Sequence, residues 1–156
     1  MSNKEGISGP HLSAAFLCEK VLREGDNVLS FIRVVERFTV PKFSLPPGVQ
    51  LPPGAVPAVI QFNLVVVLKS GDLGGGKFGM RVALMKPDGS QASSQPMDLF
   101  FNGADDNGVA VVSPVTIPTP EEGLHWFDVY FEERLITRIP LRVLYQQVQM
   151  NPFAQM

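Results

Sequence analysis

The sequence predicts an all-β protein, a two-sheet antiparallel β-sandwich of about eight strands. Three observations predict this fold. Apolar and polar residues alternate along several segments, as they do in strands that are buried on one side. Turn residues separate these segments roughly every 8–12 positions. Charged residues make up only 18% of the 156-residue chain, below the usual value of about 25%, which leaves little charge to solvate long helical surfaces.

The first predicted strand spans Leu12 to Leu22, and here two structures stay open. Leu12, Ala15 and Phe16 stand at near-helical spacing, and Ala and Leu favour helix. A charged turn with Gly25-Asp26 at its tip, however, joins this segment to a clear strand. We therefore expect a strand, with a helix as the alternative.

The second predicted strand spans Val28 to Val40, and its alternation divides it into two faces. One face points to the core and consists of Val28, Ile32, Val34, Phe38 and Val40. The opposite face is an outer one and consists of Phe31, Arg33, Val35 and Arg37.

A proline-rich segment, residues 41–57, follows and contains six prolines. This density excludes a regular helix or a central strand. We expect an extended crossover between the two sheets. The alternative is a ligand for a proline-recognising module, because Leu45–Val49 and Leu51–Ala55 form a short internal repeat.

Six further strands complete the predicted sandwich, which we assign to residues 12–145. Residues 1–11 are expected to be a flexible N-terminus, and residues 146–156 a polar tail that frays or docks on a partner. The six strands are residues 60–69, 77–86, 91–101, 109–117, 124–131 and 135–144. The residues predicted to form the core are Ile60, Phe62, Leu64, Val66, Phe127 and Val129.

Several of these segments resemble a family of small uncharacterised bacterial β-sandwich proteins, a domain of unknown function. The resemblance lies in Phe16–Val21, Leu29–Glu36, Gly123–Tyr130 and Leu135–Val143, and the turn Pro87-Asp88-Gly89 is compatible with it. It covers residues 12–145. It implies a β-sandwich from a bacterium, and it supplies no activity and no catalytic residue.

Charge and cysteine content restrict the expected partners and compartment. The net charge is −2 and the basic residues are scattered, so we expect no nucleic-acid binding. The longest apolar run, Leu64–Leu68, is too short to span a bilayer, and the N-terminus has no apolar signal core, so we expect a cytoplasmic protein without a membrane partner. The single cysteine, Cys18, stands in an apolar stretch and is interpreted as an inert core residue.

No catalytic or metal-binding constellation is found, so the sequence predicts neither an enzyme nor a cofactor. The only histidines are His11 and His125, and His125 shares the core-facing positions of its strand. One cysteine and two distant histidines cannot form a zinc site. Carboxylates in loops leave calcium as an alternative, although turn formation explains them equally well. They are Asp72, Asp88, Asp98, Asp105 and Asp106.

Half-exposed aromatic residues beside arginine indicate a candidate contact surface. Trp126 and Tyr130 share one face of their strand, and Phe31 and Arg33 share an outer face of an earlier strand. Such residues are enriched in interfaces; the alternative is that a loop covers this face. We expect these four residues to bind a partner, and the protein to be a non-catalytic interaction or structural module that binds another protein or self-associates. The alternative is a sandwich that binds a glycan or calcium.

Overall fold

The structure, a computed structural model, describes residues 9–44, 47–48, 58–104 and 106–149. Within these residues the chain forms ten strands and one 3-10 turn, Gly71–Leu73, which confirms the all-β sandwich but with more strands than the eight expected. The strands are β1 (His11–Arg23), β2 (Leu29–Val35), β3 (Arg37–Ser44), β4 (Val59–Lys69), β5 (Gly75–Met85), β6 (Gln91–Ser93), β7 (Met97–Asn102), β8 (Gly108–Pro118), β9 (Gly123–Phe131) and β10 (Arg134–Gln149).

The strands are arranged in two sheets. The four-stranded sheet has the order β2-β1-β4-β8, and the six-stranded sheet has the order β3-β10-β9-β5, with both β6 and β7 paired to β5. The described pairs are antiparallel except for β3 and β10, which are parallel, so the predicted antiparallel sandwich is in fact mixed.

The segment Leu12 to Leu22 is a strand, as expected. β1 lies between β2 and β4; its first part, His11–Cys18, pairs with β4, and its second part, Leu17–Arg23, pairs with β2. Cross-strand hydrogen bonding along the whole segment therefore outweighs the modest helical preference of its alanines and leucines.

The predicted strand Val28 to Val40 is divided at Glu36 into β2 and β3, which belong to different sheets. In β2 the buried and exposed faces are the reverse of those predicted. Val35 and Val40 both lie in the core, whereas Ile32 and Val34 are 44% and 57% exposed. The predicted core face is therefore correct for β3 and wrong for β2, because a bend between sheets restarts the alternation.

Two other boundaries differ from the prediction. β3 continues through Pro41 to Ser44, which is possible because it is an edge strand, where a missing N–H is tolerated. The predicted strand 91–101 is divided into β6 and β7, since Ser94 pairs with Val82 through both its N–H and its hydroxyl before the chain turns away. Most of the proline-rich segment lies outside the described residues.

The core lies between the sheets, and all six residues predicted for it are at most 7% exposed. Aromatic rings join the two sheets at its centre, where Phe62 of β4 meets Phe127 of β9 edge-on, with ring centroids 5.8 Å apart. Cys18 is fully buried, and burial raises the pKa of its thiol. β10 extends to Gln149, so the first residues of the predicted tail belong to the six-stranded sheet.

Candidate functional site

The outer face of the six-stranded sheet carries the aromatic residues singled out in the sequence. On β9 the residues at alternate positions are buried in the core, and Trp126, Asp128 and Tyr130 point to the other side. Arg81 of β5 is the register partner of Tyr130, and Arg138 of β10 is that of Asp128. We call these five residues the aromatic–arginine face.

One half of this face is built on Tyr130. The guanidinium carbon of Arg81 lies 3.9 Å from the centroid of the Tyr130 ring. Arg81 Nε donates to the carboxylate of Glu133, with distances of 3.0 and 3.1 Å to its two oxygens. The carboxylate therefore holds the cation above the ring, an arrangement in which the ring quadrupole also attracts the charge.

The other half repeats the arrangement on Trp126. The guanidinium carbon of Arg138 lies 4.8 Å from the centroid of the Trp126 ring. Arg138 Nε donates to the carboxylate of Asp128 over 2.7 Å, a short charge-assisted hydrogen bond. The side chain of Asp128 is only 9% exposed and that of Arg138 is 46% exposed. A nearly buried carboxylate thus anchors an arginine that covers the tryptophan.

The four residues predicted to bind a partner are divided between the two sheets. Trp126 and Tyr130 share the aromatic–arginine face, whereas Phe31 and Arg33 lie on β2 of the four-stranded sheet. Phe31 packs edge-on against Phe16 with ring centroids 4.9 Å apart. Arg33 forms an exposed ion pair with Glu19 at 3.1 Å.

The structure adds Arg81, Asp128 and Arg138 to the site. Alternation in the sequence places Arg81 and Asp128 on the outer sides of their strands. It does not show that Arg81 stands over Tyr130 or that Arg138 bridges Asp128 and Trp126, because cross-strand neighbours depend on register.

A cleft of about 300 Å³ opens at the side of the sandwich, between β8 and the short strand β6. Its lining contains no ionisable side chain; apolar walls come from both sheets and hydroxyl groups stand among them. The lining residues are Leu64, Val82, Leu84, Ala92, Ser93, Ser94, Met97, Ser113, Pro114, Val115, Thr116 and Phe127.

Three of the five carboxylates considered for calcium have local partners. Asp88 accepts hydrogen bonds from the N–H and the hydroxyl of Ser90, and these bonds lower the pKa of its carboxyl. Asp72 accepts from the Gly9 N–H, and Asp98 lies 3.6 Å from the ammonium of Lys77. Across the described part of the chain, no three His, Cys, Asp or Glu side chains are grouped as metal ligands would be. Asp105 lies outside the described residues.

His125 is a buried titratable group on the core side of β9. It is 1% exposed, and its Nδ1 has no hydrogen-bond partner among the described residues. Burial lowers the pKa of its imidazole below the ordinary value of 6.5, because the charged form loses its hydration. The neutral form therefore predominates in the folded protein at neutral pH.

Acidification is expected to destabilise the protein through His125. Because the pKa is lower in the folded state, the unfolded chain binds more protons as the pH falls below about 6.5, and the free energy of unfolding falls with it. Urea unfolding between neutral and mildly acidic pH measures this slope. His125→Leu should reduce the slope, because it removes the buried imidazole. Equal slopes in the wild type and in His125→Leu would contradict this assignment.

The fold and the aromatic–arginine face together define a small all-β sandwich domain with an organised aromatic surface. The chain belongs to a family of unknown function (DUF6941), whose model matches residues 48–144. This confirms the resemblance to a family of unknown function over residues 48–144, whereas Phe16–Val21 and Leu29–Glu36 lie outside the match. No curated protein is significantly similar to the chain. Among the described residues no helix has the length and hydropathy that crossing a membrane requires.

Three solved structures are similar to the chain at low sequence identity. An alkylpurine DNA glycosylase, AlkC, from Pseudomonas fluorescens is 15% identical over 55% of this chain and 26% of its own, with a TM-score of 0.37. A β-glucosidase from Listeria innocua is 9% identical over 89% and 17%, with a TM-score of 0.42. An immunoglobulin-like protein from Pseudomonas aeruginosa is 12% identical over 87% and 97%, with a TM-score of 0.34. The chain thus spans about a quarter of the glycosylase and less than a fifth of the glucosidase. At these TM-scores no activity of either enzyme is assigned to the chain.

Proposed function

We propose that this protein is a non-catalytic β-sandwich interaction module that binds a partner protein through the aromatic–arginine face. The observation that supports the proposal is the paired arrangement of Trp126 under Arg138 and Tyr130 under Arg81, with each arginine anchored by a carboxylate. Tryptophan, tyrosine and arginine are the residues most enriched among those that dominate binding energies.

Preorganisation is the physical reason why this face is suited to binding. Immobilising a side chain at an interface costs about 0.5–1.5 kcal/mol. Here the two rings already lie on a continuous sheet beneath fixed guanidinium groups, so a partner orders few additional groups. Trp126 and Tyr130 are both half-buried and retain exposed ring surface that a partner can cover.

Substitution of the aromatic residues tests the proposal. Trp126→Ala is expected to weaken binding of the native partner at least about tenfold, as loss of an interface anchor does. The partner is first captured from native cells with the intact tagged chain and identified by mass spectrometry. It is then purified and titrated calorimetrically, while sedimentation shows whether the partner is a second copy.

Phe31→Ala is the matched control, because Phe31 is an aromatic residue on the other sheet. It should bind the partner with wild-type affinity once circular dichroism shows that it is folded. Wild-type affinity of folded Trp126→Ala, or an equal loss in Phe31→Ala, would contradict the assignment of this face.

Ligand binding is the second candidate function, and the lateral cleft is the observation that favours it. Its apolar walls and scattered hydroxyl groups suit a small uncharged ligand, and about 300 Å³ is the lower end of the usual size of ligand pockets. A thermal-shift series with neutral alkyl glycosides, soluble glycans and calcium tests it, since a ligand at 100 times its dissociation constant stabilises by about 2.7 kcal/mol. If none of these ligands raises the unfolding midpoint, partner binding remains the only candidate function.

A further inference from the structure

Two arginines face each other at the edge of the six-stranded sheet, next to the aromatic–arginine face. Arg37 of β3 and Arg142 of β10 are register partners in the parallel pair. Their chain neighbours Phe38, Leu141 and Val143 pack in the core, so alternation turns both arginines outward. Both are exposed.

This pair has no compensating acid in the part of the chain that the structure describes. Neither guanidinium forms an ion pair, and the adjacent Glu36 pairs with neither. Other arginines of the sheets are neutralised, namely Arg33 by Glu19, Arg81 by Glu133 and Arg138 by Asp128. Arg23 and Arg134 are also unpaired, but they stand at strand ends and face no second cation.

Like charges directly opposite each other destabilise a sheet. The arginines beside Trp126 and Tyr130 are paired with acids, whereas Arg37 and Arg142 stand side by side without one among the described residues. A carboxylate placed between the two guanidinium groups would remove their repulsion and accept charge-assisted hydrogen bonds from both.

We infer that Arg37 and Arg142 bind a carboxylate of the partner, so that the partner presents an acidic segment to this sheet; the inference rests on the proposed function. Arg142 stands two residues from Pro140, which is the register partner of Trp126. Two residues of strand span about 7 Å. A segment with an acidic residue close to a large apolar one can therefore contact the arginine pair and Trp126 together.

A protein partner fits these charges better than a nucleic acid. Phosphates match guanidinium geometry as well as carboxylates do, but nucleic-acid binding draws its affinity from many phosphate contacts. Here two uncompensated cations face outward together, and the whole chain carries a net charge of −2. Two cations on a chain of net negative charge suit a partner that presents one or two carboxylates.

Titration of the full chain with a fluorescent decaglutamate peptide carrying a central tryptophan tests the inference. Fluorescence anisotropy at low salt should show binding that Arg142→Glu or Arg37→Gln weakens at least about tenfold. The matched control Arg134→Gln, which changes an exposed arginine at a turn, should bind like the wild type. An oligothymidylate of the same charge should bind more weakly than the peptide.

Thermal unfolding provides a second readout. Arg142→Glu should raise the unfolding midpoint of the isolated protein, because it replaces a cross-strand repulsion with an ion pair to Arg37. If the arginine pair serves binding at the expense of stability, Arg142→Glu should have a higher unfolding midpoint and weaker peptide binding than the wild type. A merely structural arginine would show a lowered midpoint.

Three results would overturn the inference: no peptide binding by the wild type, equal binding by the arginine variants, or preference for the oligothymidylate. These failures are distinct from failure of the proposed function. If Trp126→Ala no longer binds the native partner but Arg142→Glu still does, binding through the aromatic–arginine face is supported. The same result rejects recognition of an acidic segment by the arginine pair.

Discussion

Replacement of Phe127 by alanine is expected to lower the free energy of unfolding by about 3–5 kcal/mol. Phe127 is 3% exposed, and its ring meets Phe62 of the opposite sheet edge-on. Phe38 packs on the other side of this contact, with its ring centroid 5.5 Å from that of Phe62. The substitution therefore removes a buried side chain and the central aromatic contact between the two sheets, and rigid strands on either side cannot collapse into the cavity.

Phe100→Ala is the matched control for this prediction. Phe100 lies on β7 and is 70% exposed, so the same chemical change should alter stability by no more than about 0.5 kcal/mol. Urea unfolding followed by circular dichroism measures both variants, and an unchanged slope with denaturant shows that the unfolded states are comparable. Similar losses in the two variants would mean that Phe127 does not lie in the core.

Local alternation explains why the core could be predicted from the sequence. Ile60, Phe62, Leu64 and Val66 occupy every second position of a strand whose neighbours on both sides are also strands. In such a strand the alternation is set by a single geometry from end to end. The same argument failed for Val28 to Val40, because this apolar run crosses from one sheet to the other at Glu36, and no local pattern marks the bend.

The candidate site could be predicted only in part, for a similar reason. Trp126 and Tyr130 share a face because they are an even number of residues apart on one strand, which the sequence displays directly. Their grouping with Phe31 and Arg33 required knowledge of the sheet to which β2 belongs. The contacts of Arg138 with Asp128 and Trp126 depend on a register that includes a β-bulge between Leu135 and Thr137, and this irregularity has no signature in the residues.

Replacement of Arg138 by methionine is expected to lower the free energy of unfolding by about 2 kcal/mol, between the values for exposed and buried ion pairs. The substitution preserves an apolar stem but leaves the Asp128 carboxylate, which is 9% exposed, without its ion-pair partner. Removing one member of a fully buried pair costs about 3–5 kcal/mol. The value here is smaller, because Arg138 is 46% exposed and water can reach the carboxylate once the arginine is gone. Urea unfolding at neutral pH measures the change.

The double variant Arg138→Met/Asp128→Leu separates the charge from the packing. If the loss arises from the uncompensated carboxylate, removing that carboxylate should recover most of the stability, and the two substitutions should be strongly coupled. Trp126 is the only tryptophan of the chain, so its fluorescence reports on this half of the face alone. In Arg138→Met the emission should shift to longer wavelength and its anisotropy should fall, because the ring loses the guanidinium that covers it. A stable Arg138→Met variant with unchanged tryptophan emission would show that the Asp128–Arg138 pair does not hold Trp126 in place, and would remove the preorganisation on which partner binding at this face depends.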